Sequence, residues 1–600
     1  MSQIGAQAGE HLHDLVAKLP QLGPLIGWRH AGKAARLWAK ADENYTGRAV
    51  LALTVAVQND QLDMASVKFW KTLPVKLVDS KEGSSRVLDV QRFALADVDL
   101  PAAGEVIRMV MLHVEHRPDS LPPIYGNARN FGNPIARDVA ADRLPEAEEL
   151  RYEEFAGAQP IKPKEQFVEE LFDELERELH VEREIGAAPI PGTYSRLRRR
   201  DARMSRCEVP SSTLAGEGLL TFAAACCRHP GVGFDRDLAD RALAALAARV
   251  DPSFVFMLGD QIYADATAGV LDVDERVEKY AARYDMAFGS EGFRRLAARL
   301  PVYMVADDHE VRDNWPNDVL PPSAKPYWDD SVEWAWQLYF AHQRWHGPQP
   351  PPAAALAKPA APTSFYYSFA DRGIQFFAFD SRFEREPGGG SIVGAGQMEA
   401  LSRWLDQMVA TESLRCVPKF VACGTVFAPG LEEFRASPER TRRADTWQAF
   451  QADRAKVARL IAAKGAQNVV FLSGDYHCAA IGSLRFFGGK APREGLRGYA
   501  IVAPPFYAPF PFANNRECDV ASNEVIVDPA TKQIVASCTS LSLEMQGFAV
   551  IRVNRVEGRA GVDQWEIKVP FQADGWALDG SATDGNIKTG LLANGTASWI

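Results

Sequence analysis

Four runs of nearly unbroken apolar residues each stop on groups that prefer water or a metal. They are LLTFAAACC (219–227), FVFMLGD (254–260), PVYMVADDHE (301–310) and NVVFLSGDYH (468–477). Segments this short and this apolar suit strands buried on both faces. Further runs of the same kind are GIQFFAFD (373–380), VPKFVACGT (417–425) and YAIVAPP (499–505). Helical patterns lie between them. Residues 238–250 are Ala/Leu-rich with aspartates at the N-terminal end, and QMEALSRWLDQM puts Leu401, Trp404, Leu405 and Met408 on one stripe. Strand and helix in alternation predict an α/β fold whose sheet is covered on both sides. In open sheets of that kind, ligands bind in the crevice beyond the carboxyl ends of the strands.

Those strand ends are therefore where chemistry is expected. Each motif by itself has an ordinary reading: an Asp after a strand caps a helix or turn, a Cys after alanines is a small hydrophobe, and DDHE is a solvated turn. Four such endings in one domain favour a shared metal site. Asp260, Asp307, Asp308, Glu310 and Asp475 near one point would repel one another without cations between them. A thiolate, a phenolate and an imidazole (Cys226 or Cys227, Tyr263, His477) suit a strongly Lewis-acidic transition metal, whereas the remaining carboxylates suit Ca²⁺ or Mg²⁺. Two ions about 3.5–4 Å apart, bridged by a carboxylate and a hydroxide, make a site for in-line displacement at a phosphate ester.

The rest of the chain sets the frame. Its 600 residues predict two or three domains. Residues 1–130 carry short alternating segments (AARLWAKA, AVLALTVAVQ, VKFWKTLPVKLV, EVIRMVMLHVEH) that predict a β-sandwich-like domain. Residues 131–215 change to a helical linker or insertion, where Phe167, Leu171, Leu175 and Leu179 line one stripe of QFVEELFDELEREL. Residues 216–600 are expected to form the domain that carries these strand ends, with a C-terminal β extension and an interruption at the Pro/Ala stretch 348–362. The net charge of −11 argues against a stable nucleic-acid partner, with Arg196–Arg200 the sole basic run. The eight cysteines form no CxxC pair and no disulfide framework. Neither a signal peptide, a twin arginine nor a membrane-spanning run is visible, so the expected location is cytoplasmic, away from membranes. Oligomeric state leaves no mark on the sequence.

The ordered series ACC, GDQIYAD, DDHEVRDNW, FFAFDSR and LSGDYH resembles the alkaline phosphatase D (PhoD-like) branch of the calcineurin-like metallophosphoesterases. The resemblance covers roughly residues 219–510. It implies a four-layer α/β sandwich, with the β-rich N-terminal domain matching less specifically. It implies a metal centre of Fe³⁺ with Ca²⁺, with Mn²⁺, Mg²⁺ or Zn²⁺ as substitutes. The implied metal ligands are Cys227, Asp260 (bridging), Tyr263, Asp308, Asp475 and His477. Cys226 takes the place of the family's serine. His309 stands where the family has its proton-donating histidine. Arg382 is either a phosphate clamp or half of an ion pair with Asp380. One metal-binding histidine of the superfamily has no counterpart; His342 and His346 sit in a Trp-rich segment and read as structural.

The implied activity is hydrolysis of a phosphomonoester or diester of a small molecule by a metal-bridging hydroxide attacking in line, with His309 protonating the leaving alkoxide. Two rivals stand beside it. One is a phosphatase using Cys226 or Cys227 as nucleophile; it lacks the arginine that its phosphate loop needs six residues on. The other is a catalytically idle binding protein that keeps the fold. The glycine-rich GGGSIVGAG (388–396) has neither Rossmann nor P-loop spacing and reads as a loop before a helix.

Overall fold

The computed structural model describes, in the C-terminal part, residues 219–231, 238–249, 252–265, 277–316, 330–349, 365–386, 390–435, 441, 445–508, 520–557, 563–569, 571–573, 590–593 and 596–599. In the N-terminal part it describes nine strands with a residue adjoining one of them, and residues 163–169. Two compact units result: residues 1–214 with 288–301 and 352–359, and residues 215–287 with 302–351 and 360–600.

The first unit holds two antiparallel sheets. Strands β1 (Leu22–His30), β2 (Ala34–Lys40), β5 (Val75–Lys76) and β6 (Arg92–Asp99) make one, in the order β1-β2-β6-β5. Strands β3 (Ala49–Gln58), β4 (Gln61–Thr72), β7 (Val106–Val114), β8 (Glu148–Leu150) and β9 (Arg206–Pro210) make the other, in the order β8-β4-β3-β7-β9. The segment expected to be a helical linker, 131–215, thus gives two strands to this sheet, because β4 and β7 each leave an edge that a distant strand pairs. Of its expected amphipathic helix, residues 164–169 are helical with Phe167 and Val168 buried; Leu171, Leu175 and Leu179 lie outside the described residues.

Two larger sheets build the second unit. Sheet one takes β10 (Leu220–Arg228), β11 (Val255–Leu258) and β12 (Val302–Val305) in parallel. Beside β10 it adds the short parallel strand β19 (Pro505–Tyr507) and the antiparallel β22 (Gly547–Glu557), which pairs in turn with β23 (Asp563–Lys568) and β24 (Phe571–Ala573). The C-terminal β extension is therefore integral to sheet one. Sheet two has the order β13 (Tyr367–Asp371), β14 (Ile374–Ala378), β15 (Lys419–Cys423), β16 (Val469–Ser473), β18 (Leu496–Val502), β17 (Ala479–Phe486), β21 (Ile534–Leu543) and β20 (Asn523–Val527). Its strands β14, β15, β16 and β18 are parallel.

Strand periodicity explains how the parallel strands β14, β15 and β16 of sheet two are buried on both faces, since successive side chains point to opposite sides. Phe376 and Phe420 point toward sheet one and meet Phe222 edge-on, with ring centroids 5.4 and 5.2 Å away. Their neighbours Phe377 and Val421 point the other way, into a core with Leu401, Trp404 and Met408 of helix α1 (Gly394–Ala410) and Val457 and Ile461 of helix α2 (Gln451–Lys464). Each fully buried Phe or Leu stabilises by about 1.5–3 kcal/mol. Helix α2 ends on Gly465, whose φ of 67° is the left-handed cap that glycine adopts without strain. Helix α3 (Leu238–Arg249) connects β10 to β11. Because β10, β11, β12, β14, β15 and β16 all run the same way within their sheets, their carboxyl ends gather in two facing rows.

Candidate metal centre

Where the rows meet, the two sheets pinch together, and glycines make that approach feasible. A Cβ on Gly474, after β16 in sheet two, would lie 2.4 Å from the Leu258 carbonyl and 2.5 Å from the Cys226 Cβ in sheet one. A Cβ on Gly259 would lie 2.4 Å from the Asp307 Cβ, and its φ of +91° is itself a glycine conformation. Both GD motifs have glycine for this reason. The next residues are strained: Cys227, Asp260, Asp475 and His477 all have positive φ, between 45° and 70°. Non-glycine residues in that region cost about 1–3 kcal/mol each and cluster at functional sites.

Three overlapping sets of donors meet there. Cys227, Asp260 and His477 form one, Asp260, Asp308 and His309 a second, and Asp307, Asp308 and Asp475 a third, each with its ligand atoms within 4.8 Å of one another. Asp260 belongs to two sets and Asp308 to two, so the three form a chain with Asp260 and Asp308 as links. Cys227 Sγ lies 3.3 Å from Asp260 Oδ2, and the Tyr263 hydroxyl 3.2 Å from His477 Nε2. Tyr263 also stacks on His309, centroids 4.1 Å apart, and meets His229 edge-on at 4.7 Å. Every metal ligand expected from the sequence is thus in one cluster, drawn from both sheets. His342 and His346 are buried elsewhere: His342 stacks on Tyr284, and His346 Nε2 bonds the His342 carbonyl.

Charge in this cluster is out of balance by itself. Burial, then neighbouring carboxylates and the Cys227 thiol, push Asp260 well above the usual carboxylate range, and burial with Asp307 and Asp445 does the same to Asp475. Burial also raises Asp307, to about 6, although Arg382 opposes it. At Asp308, burial is outweighed by His309 and Arg382, leaving it at about 2. Among the described residues, Asp307 Oδ2, Asp308 Oδ1 and His477 Nδ1 are buried without a hydrogen-bond partner. Orphaned acceptors beside crowded carboxylates are what cations would satisfy, so the donor set fits a metal centre. Burial pushes the Cys227 thiol well above its ordinary value, the reverse of what a cysteine nucleophile needs.

Arg382 is turned toward carboxylates of the interior. The resemblance allowed a phosphate clamp or an ion pair with Asp380. The side chain is fully buried, and its guanidinium faces carboxylates inside the protein. Nε donates to Asp307 Oδ1 at 2.5 Å; Nη1 donates to Asp445 Oδ1 at 2.8 Å and the Trp315 carbonyl at 2.9 Å; Nη2 lies 2.7 Å from Asp445 Oδ2 and 3.6 Å from Asp308 Oδ1. Asp380 takes no part in this: its carboxylate accepts the backbone N–H groups of Arg382, Phe383 and Phe365. Arg382 is the internal counter-ion behind the cluster. Arg385 pairs with the same Asp445 and donates to Thr425 Oγ1, which donates to Asp307 Oδ1 at 3.0 Å.

Three partners of the cluster carry no local signal in the sequence. Asp265 accepts from His309 Nδ1 at 2.8 Å and from the Asp313 backbone N–H at 2.7 Å, which fixes the imidazole. Two carboxylates, Asp308 and Asp265, outweigh burial and hold His309 well above its ordinary pKa. Asp445 and Thr425 complete the counter-ion network. The final Asp of GDQIYAD was visible as a carboxylate, but no local signal tied it to a histidine 44 residues on.

Taken with a match of residues 222–558 to the family model for PhoD-like phosphatases, the two sheets and their cluster define a phosphoesterase. That match takes in more than half of the chain, and the protein belongs to the PhoD-like phosphatase family. The solved structure of PhoD shares the fold at 14% identity and a TM-score of 0.53, with 97% of this chain and 92% of that one aligned. A purple acid phosphatase, PPD1 from yellow lupin (Lupinus luteus) seeds, aligns at 9% identity and a TM-score of 0.45 over 94% of this chain and 73% of its own. No curated protein sequence matches. Among the described residues no helix is long and apolar enough to cross a membrane.

Proposed function

We propose that this phosphoesterase hydrolyses a small-molecule phosphate ester at the cluster, with more than one metal ion bound there. The observation that carries this reading is the chain of three donor sets linked through Asp260 and Asp308. Cys227, Asp260, Tyr263 and His477 would hold an ion of ferric type, and Asp260, Asp307, Asp308 and Asp475 a harder one such as Ca²⁺, with Mn²⁺, Mg²⁺ or Zn²⁺ as substitutes. Such ions would offset the carboxylate charge, polarise the phosphoryl group and make water a nucleophile near neutral pH.

The chain's own residues do the rest. With Nδ1 held by Asp265, His309 turns its Nε2 face to the reacting ester as the proton donor for the departing alkoxide. Arg382 keeps Asp307 ionised and in place from behind, and substrate meets other groups. His309, Asp475 and His477 are the partly exposed members of the cluster, so the ester enters on their side. We also propose that the two antiparallel sheets of the N-terminal unit form a β-sandwich.

The test is metal content of the purified protein, followed by turnover of p-nitrophenyl phosphate and bis(p-nitrophenyl) phosphate with and without a chelator. Chelator-sensitive turnover, and a His309→Ala protein that keeps its metals but turns over a poor leaving group far more slowly, support the reading. A metal-free protein without turnover after reloading overturns it.

A further inference from the structure

We propose that Gln343 is a positioning residue that sets the spacing of the two ligand-bearing loops by acting through Glu310; this rests on the metal-centre reading above. Glu310 is fully buried, and its carboxylate accepts backbone N–H groups from Asp260 at 3.1 Å, Gln261 at 2.8 Å and Asp307 at 2.8 Å. The first two belong to the loop after β11 and the third to the end of β12. One carboxylate thereby joins the backbone of the residue shared by two donor sets to the backbone beside Asp308.

Gln343 holds that carboxylate from the far side. Its Nε2 donates to Glu310 Oε1 at 2.9 Å and to the Tyr284 hydroxyl at 3.1 Å. A carboxylate only accepts, so the amide nitrogen must face it, and the bond to Tyr284 uses the second hydrogen. Tyr284 is fixed in turn by stacking on His342, centroids 4.2 Å apart and planes 11° from parallel. The backbone is specialised at this point. Helix α4 (Asp330–Tyr339) passes into a π-helical turn over Phe340–Arg344, closed by the Trp345 N–H on the Phe340 carbonyl at 2.8 Å. A π turn inserts a residue into the helix, which shifts every later side chain around the axis, and such turns recur at functional sites. Here the insertion coincides with the residue that reaches Glu310. Without this donor, Glu310 Oε1 keeps only the Gln261 N–H, one buried lone pair loses its partner, and the carboxylate holds both loops less firmly.

Partners of metal ligands typically change affinity by about 10- to 100-fold when removed. The experiment uses Gln343→Met, which keeps length and loses the donor, in the full chain with Mn²⁺ as probe. Calorimetric Mn²⁺ affinity, thermal unfolding, and hydrogen exchange of the amides of Asp260, Gln261 and Asp307 are measured. The expected result is a folded protein that binds Mn²⁺ about 10- to 100-fold more weakly, with faster exchange at those three amides. Tyr284→Phe keeps the bond to Glu310 while freeing the amide, and should shift both readouts the same way by less; it carries the test if Gln343→Met does not fold. Wild-type Mn²⁺ affinity and exchange in the folded variants would overturn the positioning role. A wild-type chain that binds no Mn²⁺ would overturn the metal-centre reading and this proposal with it.

Discussion

The Tyr263 hydroxyl stands 3.2 Å from His477 Nε2, although Tyr263 follows β11 in sheet one and His477 follows β16 in sheet two. The two side chains meet because both sheets end at the same level, pinched at Gly474. Burial, with Cys227 and Asp260 next, holds the phenol well above its ordinary pKa, so only a strong Lewis acid would ionise it. Protein loaded with ferric ion should therefore show a visible phenolate-to-iron charge-transfer band that Tyr263→Phe abolishes. A coloured protein that keeps its band in Tyr263→Phe would remove Tyr263 from the ligand set.

Asp265 fixes the His309 ring but carries no metal-ligand geometry of its own. Asp265→Asn should leave metal content unchanged. Turnover of an alkyl phosphate should fall about 100-fold, the lower end of general-acid contributions, whereas p-nitrophenyl phosphate, whose leaving group needs no proton, should change little. Equal losses on both substrates would point to a role other than holding the proton donor.

Arg382 faces Asp307 and Asp445 in the interior, so its loss should act on folding more than on substrate binding. Arg382→Met leaves buried carboxylates uncompensated, and breaking one partner of a buried ion pair costs about 3–5 kcal/mol. Denaturant unfolding measures this. A phosphate clamp would instead appear as a raised KM in a protein of normal stability.

Glu524 of β20 and Arg454 of α2 form a buried bidentate pair, 2.7 Å at both contacts, and Glu524 also accepts the Gly430 N–H at 2.9 Å. Burial would raise the carboxyl, but Arg454 outweighs it and holds Glu524 below its ordinary 4.5. A depressed folded pKa contributes stability that is present above the unfolded value and lost as pH falls through the folded one. The gap in Tm between wild type and Glu524→Gln should thus be constant above about pH 5.5 and shrink steadily below pH 4.5. A gap that does not change with pH would mean that packing, and not charge, makes the pair matter.

Much of the site was legible. Apolar runs with a metal-ligating residue at the tip specify buried strands and place Cys227, Asp260, Asp308, Asp475 and His477 at carboxyl ends, because the pattern is local and the alternation with helices sets strand direction. Arg382 was legible as a site residue but not in its direction. The placement of Asp445, 63 residues later, together with Asp307 and the Trp315 carbonyl, turns its guanidinium inward. Gln343 left no signal, since nothing in AHQRWH announces a π turn. In the N-terminal unit, β8 and β9 were hidden inside a stretch that reads as helical, because edge pairing to β4 and β7 outweighs local preference there.

By itself the sequence determined the strands, their apolar faces and the ligand types at their tips, since hydrophobic periodicity and residue chemistry are properties of short segments. Which tips touch was decided by the tertiary structure alone. The packing of Phe222 against Phe376 and Phe420 sets how the sheets face one another, and the missing side chains of Gly259 and Gly474 let the ends close to within a few ångströms. Carboxylates that would each be ordinary in water become a cluster there, because burial and proximity raise the free energy of their charges together.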